Sequence, residues 1–139
     1  MELNNTKLLV LQLDSQLIWK MHVNYLLNKQ SVVCFILRRL FHILNIKTLK
    51  VVYFTHFHSL IKYGIIFWGN STTICKMFIV QKEILRTMLG IGLRCSCAGW
   101  LVKLNILPLP SLYIFSLICL SLIIWIILKL ICCCMILTH

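Results

Sequence analysis

Apolar and polar positions change their period twice along this 139-residue chain. Lys7 to Leu13 alternate loosely and are rich in Leu and Val, which predicts a short strand ending at the turn-forming pair Asp14-Ser15. Beyond that turn, Val23, Leu26, Leu27, Cys34, Leu37, Phe41 and Leu44 recur at three- and four-residue steps. They lay one apolar stripe along a helix from about Trp19 to Leu44, with Asn45 as its breaker. Thr48 is placed to cap a second helix with the stripe Leu49, Val52, Tyr53, His56, Leu60, Tyr63; Gly69-Asn70-Ser71 closes it and offers the next N-cap. A third helix carries Ile74, Met77, Phe78, Gln81, Leu85 and Met88 on one side and Lys76 and Lys82 largely off it. Gly90 stands where a left-handed C-terminal residue is expected. Gly90 to Pro110 holds Gly90, Gly92, Gly99 and both prolines, which predicts an irregular connection anchored by Trp100 and Leu101.

After Pro110 the pattern loses its polar face. Ser111 to Leu137 contains a single charge, Lys129, and Leu112 to Leu128 is uncharged throughout. A helix needs roughly 17–25 apolar residues to span a bilayer, so Leu112, Leu128 and Leu137 mark a candidate membrane segment, with a buried final helix as the alternative. All but one of the 14 Lys and Arg precede the segment, which would keep the body on the cytoplasmic side. The expected fold is mainly α: a short N-terminal β-strand, a three-to-four-helix bundle and a long apolar C-terminal helix. The expected division is residues 1–110 for the helical body and 111–139 for the tail.

Composition narrows the chemistry. Hydrophobic residues make up 60% and charged residues 12%, more apolar surface than a disordered chain could leave in water. The net charge of +11 draws such a chain toward polyanions or anionic membrane surfaces. Glu2, Asp14 and Glu83 are the only carboxylate side chains, too few for paired-carboxylate catalysis or a carboxylate-held magnesium site. Nothing at the N-terminus resembles a secretory signal, so an intracellular, reducing compartment is expected, with the eight cysteines mostly free. Cys132-Cys133-Cys134 and Cys95-x-Cys97 lack zinc-ligand spacing, and His56 and His58 point about 200° apart on a helix. No metal, cofactor or small-molecule substrate is therefore expected.

One ordered set of local signatures points further. Leu13-Asp14-Ser15-Gln16-Leu17-x-Trp19-Lys20-x-His22 is followed by Leu37-Arg38-Arg39-Leu40 and Tyr63-Gly64-Ile65-Ile66-Phe67-Trp68-Gly69-Asn70-Ser71. Gln81-Lys82-x-Ile84-Leu85-Arg86 and Asn105-Ile106-Leu107-Pro108-x-Pro110-Ser111-Leu112-Tyr113 complete the series. Over about Leu8 to Phe115 the chain resembles the C-terminal part of the reverse transcriptase of non-LTR retrotransposons, in particular the jockey-like elements of insects.

The resemblance implies a region following the catalytic palm. Its entry, with Leu13, Asp14, Trp19 and His22, would be primer-grip-like, and the helices after it would form a thumb-like bundle and connection holding the template-primer duplex. Lys20, Arg38, Arg39, Lys82 and Arg86 are then the residues expected near phosphates, whose contacts give sequence-independent, salt-sensitive affinity. The implied partners are nucleic acid, an upstream catalytic palm, or a membrane through residues 112–137. The Tyr-x-Asp-Asp box that would hold two catalytic metals is absent from the sequence, so the chain is expected to be non-catalytic. Val10, Ala98 and Ser116 depart from the family's glycine, arginine and acidic residue. Near Leu120 the likeness ends, and one nucleotide restored there lets a choice of codons for the apolar tail read as the family's polar sequence instead.

Overall fold

A computed structural model describes residues 6–8, 11–13, 16 and 18–137. The fold is mainly helical. Strands β1 (Thr6–Leu8) and β2 (Leu11–Leu13) pair antiparallel with Thr6 opposite Leu13 and Leu8 opposite Leu11, so the expected strand is a small hairpin. Helices follow at α1 (Lys20–Leu40), α2 (Ile46–Val52), a π-helical segment (Tyr53–His58), α3 (Ser59–Lys62), α4 (Ile65–Trp68), α5 (Ile74–Leu89), α6 (Ala98–Leu104) and α7 (Leu109–Leu137).

Helix α1 stops at Leu40, short of the expected Leu44, and the chain turns before Asn45 starts the next helix. Asn45, read from the sequence as a breaker, is the N-cap. Its Oδ1 accepts hydrogen bonds from both the backbone N–H and the hydroxyl of Thr48 at 2.9 Å, so Thr48 is the capped residue rather than the cap.

The second stripe holds at its start and is displaced after it. Leu49 and Tyr53 are buried as expected, and Phe57 and Ile61 continue the four-residue spacing where the expected stripe passed through His56, Leu60 and Tyr63. A 3.6-residue turn drifts off a strict four-residue repeat. The wider i→i+5 turns of the π segment cancel that drift and keep one face toward the core. The run then breaks at Gly64, earlier than the expected Gly69. Gly64 sits at φ +71, and a Cβ there would meet Leu11 Cδ2 at 2.7 Å, so glycine serves both the turn and the seat of the hairpin.

Helix α5 matches its expectation closely. Met77, Gln81, Ile84, Leu85 and Met88 are buried, and Gly90 lies at φ +63. Ile91 N–H reaches Arg86 C=O at 3.1 Å and Gly90 N–H reaches Thr87 C=O at 3.4 Å, the paired bonds of a Schellman stop. Asn105 ends α6 in the same way, at φ 52. Helix α6 itself falls inside the region expected to be irregular. Leu101 is its buried anchor, whereas Trp100 is exposed beneath Lys103.

The core gathers α1, α5, the 46–62 run, α4 and the first turn of α7, where Leu109 and Leu112 are buried. A packed body ending at residue 110 therefore gives up the first residues of α7 to the core. At the centre lies Gln81. Its Nε2 donates to Tyr53 Oη and to Leu107 C=O, and its Oε1 accepts from Leu109 N–H, each at 2.9 Å. Burial pushes the Tyr53 phenol up to about 12 against the opposing effect of the Gln81 amide, so the hydroxyl stays protonated.

Gln81→Leu leaves a hydroxyl, a carbonyl and an N–H buried without partners. It should cost about 3 kcal/mol or more by urea unfolding of the full chain in mild detergent. A loss below about 1 kcal/mol would show that the network does not hold the fold.

Candidate nucleic-acid interface

The five expected phosphate contacts fall into three places. Lys20 opens α1, and Arg38 lies 18 residues further, about 27 Å along the helix axis. Arg38 reaches across to α5 and pairs with Glu83 at 2.5 Å. Arg39 turns to a different flank, with its guanidinium 5.3 Å from the Phe35 ring centre. Lys82 lies 4.2 Å above the Phe78 ring. Arg86 donates Nε and Nη2 to Cys95 C=O at 3.3 Å and so fastens the loop after α5. Arg38, Lys82 and Arg86 thus share the α1–α5 flank, and Lys20 stands apart from them.

Sequence reasoning missed Glu83 as a partner. The signal was its rarity, because it is the only carboxylate side chain among the described residues and is spent on Arg38. Both groups are largely exposed, so the pair contributes little stability, and its effect is to silence the one local negative charge. A second feature also went unseen. Lys29, Arg39, Lys50, Lys82, Lys103 and Lys129 each lie over an aromatic ring three or four positions away on the same helix.

The primer-grip-like set is built differently from a basic face. Asp14 and Val10 lie outside the described residues. Leu13 is half-buried in β2. Trp19 takes a left-handed backbone at φ 63 immediately before α1, and its ring meets His22 edge-on at 6.2 Å and Phe67 at 6.4 Å with planes 30° apart. His22 is buried; its Nδ1 accepts from Gln12 N–H at 3.4 Å, and its ring abuts Trp68 at 6.1 Å. These residues pin the hairpin to α1 and α4. Beside them Ile18, Trp19, Phe67, Asn70, Ser71 and Thr72 line an open cleft of about 350 Å³.

Among the described residues no three His, Cys, Asp or Glu side chains converge as a metal site would require. His56 is exposed and His58 half-buried in the π segment. Burial and then Lys62 push the His58 imidazole below its usual range. Cys34 is buried beneath the Arg38–Glu83 pair. Burial foremost, then the Glu83 carboxylate, push its thiol up to about 11, with Arg38 opposing. Cys34, Cys75, Cys95, Cys97, Cys119 and Cys132 are free, and Cys75 and Cys95 are exposed.

No family model, curated protein or solved structure matches the chain.

At pH 8 the thiolate fraction of Cys34 lies about a hundredfold below that of a thiol at the ordinary value of 9.0. Iodoacetamide followed by peptide mass mapping should label Cys75 and Cys95 while Cys34 stays unmodified until the chain is unfolded. Comparable labelling of Cys34 in the native chain would contradict its burial.

Proposed function

We propose that this chain is a non-catalytic nucleic-acid-binding polypeptide derived from the C-terminal region of a non-LTR retrotransposon RNA-directed DNA polymerase, holding a template-primer backbone by charge rather than by sequence. One observation carries the reading. The single described carboxylate is neutralised by Arg38, and Lys20 and each lysine and arginine after it are at least partly exposed, so positive charge stands at the surface with no further acid among the described residues to oppose it. Lys82 and Arg86 carry part of that charge on the α1–α5 flank, Arg39 carries more on its own flank, and Lys20 stands at the start of α1. The order of motifs from Leu13 to Tyr113 supports the origin. The missing Tyr-x-Asp-Asp box leaves no machinery for nucleotide transfer.

About four phosphate contacts imply a loss of affinity on the order of a hundredfold between 50 and 200 mM salt. Fluorescence anisotropy of a labelled RNA–DNA duplex should show that loss, and Arg39→Ala and Lys82→Ala should each reduce the salt slope by about one. Salt-independent binding, or none, would refute the reading.

A specific observation favours a second reading, a single-pass membrane protein anchored by its C-terminal helix. Leu109–Cys132 is long and apolar enough to cross a bilayer, and no residue of its most apolar 18-residue window is buried. On this reading the protein should float with liposomes and resist alkaline carbonate extraction. Ile124→Lys with Ile127→Lys, at about 3 kcal/mol of insertion cost each, should release it. Release of the unmodified chain by carbonate would remove this reading and leave the first untouched.

A further inference from the structure

The cleft at the entrance to α1 does not belong to the basic flank. Two of its walls are aromatic, Trp19 and Phe67, with ring centres 6.4 Å apart and planes 30° from parallel. That separation is close to twice the ~3.4 Å step between stacked bases. Phe67 is 62% exposed although its neighbour Trp68 is fully buried, so its ring is accessible from solvent. The remaining wall is polar. Asn70 offers an amide donor and acceptor, and Ser71 and Thr72 offer hydroxyls. Trp19 is held in a left-handed conformation, which a bulky residue adopts only when its surroundings impose it. The volume of about 350 Å³ lies within the roughly 300–1,000 Å³ of small-molecule sites.

We propose that this cleft is a stacking site for one unpaired nucleobase. The base lies against Phe67 and Trp19, and its polar edge faces Asn70, Ser71 and Thr72. Stacking accepts any base, because every base has a π face, while the polar wall supplies groups for its edge. Lys20, the next residue after Trp19, is exposed and supplies a cation for the phosphate of the same nucleotide. This explains how Lys20 can contribute although it lies about 27 Å from Arg38. The proposal rests on the nucleic-acid reading in taking a strand as the source of the base.

The test is anisotropy of the full chain with two labelled strands of equal length and charge, about twelve nucleotides each: oligothymidylate, and the same backbone with abasic sites throughout. Stacking predicts that oligothymidylate binds about 5- to 100-fold more tightly than the abasic strand. Phe67→Ala, which truncates an exposed ring, should bring oligothymidylate down to the abasic level without changing abasic binding, while Phe67→Trp retains the preference. Free thymidine monophosphate competing only against the wild-type preference would place the same site on a single nucleotide. Equal, salt-sensitive binding of both strands by the wild type, or a preference that survives Phe67→Ala, overturns the stacking site and leaves the polyanion reading standing. Binding of neither strand overturns both.

Discussion

The start of α7 depends on one buried amide. Pro108 and Pro110 carry no backbone N–H, so the connection from α6 into α7 cannot satisfy its own backbone by a regular ladder. Leu107 C=O and Leu109 N–H are drawn into the core, and Gln81 meets both while also holding the Tyr53 hydroxyl. Only then can Leu112 N–H close the first turn of α7 on Pro108 C=O at 2.9 Å. A leucine at position 81 would bury as much apolar surface and lose all three bonds. Gln30, equally buried in α1, has neither amide atom paired, so burial alone does not make a glutamine useful.

The same face of α5 explains why the 46–62 run departs from an ordinary helix. Tyr53 must present its hydroxyl to Gln81 while Leu49, Phe57 and Ile61 stay in the core, and a four-residue repeat cannot persist on 3.6-residue turns. The π segment resolves the conflict. Periodicity reaches Leu49 and Tyr53 but not Phe57 and Ile61, because a template of 3.6 residues carries the stripe on to His56 and Leu60. Helix α5 was legible for the opposite reason: its buried positions fit one period, and its Gly90 stop is chemically unambiguous. The helix boundary at Asn45 and Thr48 was legible but not its roles, since both side chains are able to cap and only the fold decides that Asn45 accepts from Thr48. Gln81 stood in an otherwise apolar stripe, and that anomaly was the available signal for the central network.

The candidate interface was legible in charge and illegible in arrangement. Lys20, Arg38, Arg39, Lys82 and Arg86 can be picked out as cations, but tertiary packing decides that Arg38 meets Glu83 and that Arg86 fastens the backbone at Cys95. Likewise Trp19 and Phe67 lie 48 positions apart in sequence and share a cleft only because the break at Gly64 turns α4 back toward the entrance of α1. The recurrent placement of cations over rings one helical turn away could have been read from spacing. It lays long side chains along the surface, where their charge remains available at lower entropic cost.

The apolar tail is where the body's logic ends. Leu109 and Leu112 are core residues and Tyr113 packs on them, but from Leu120 to Cys132 every residue is exposed. From residue 120 to its end at 137, α7 is 18 residues, about 27 Å, just under the roughly 30 Å of a bilayer's hydrocarbon core. Lys129 would lie near its middle, at a cost of about 3 kcal/mol, against about −3 to −7 kcal/mol from its 11 Leu and Ile. Insertion therefore stays favourable, by a margin that one further charge would erase. The last partly buried position of α7 among those whose burial is described is Cys119, so the packed part of the helix ends there. The exposed side of α7 is already apolar before that point, with Ile114, Phe115 and Ile118 exposed while Leu109 and Leu112 are buried. A membrane affinity of this segment would thus follow from its composition alone and require nothing of the bundle that precedes it.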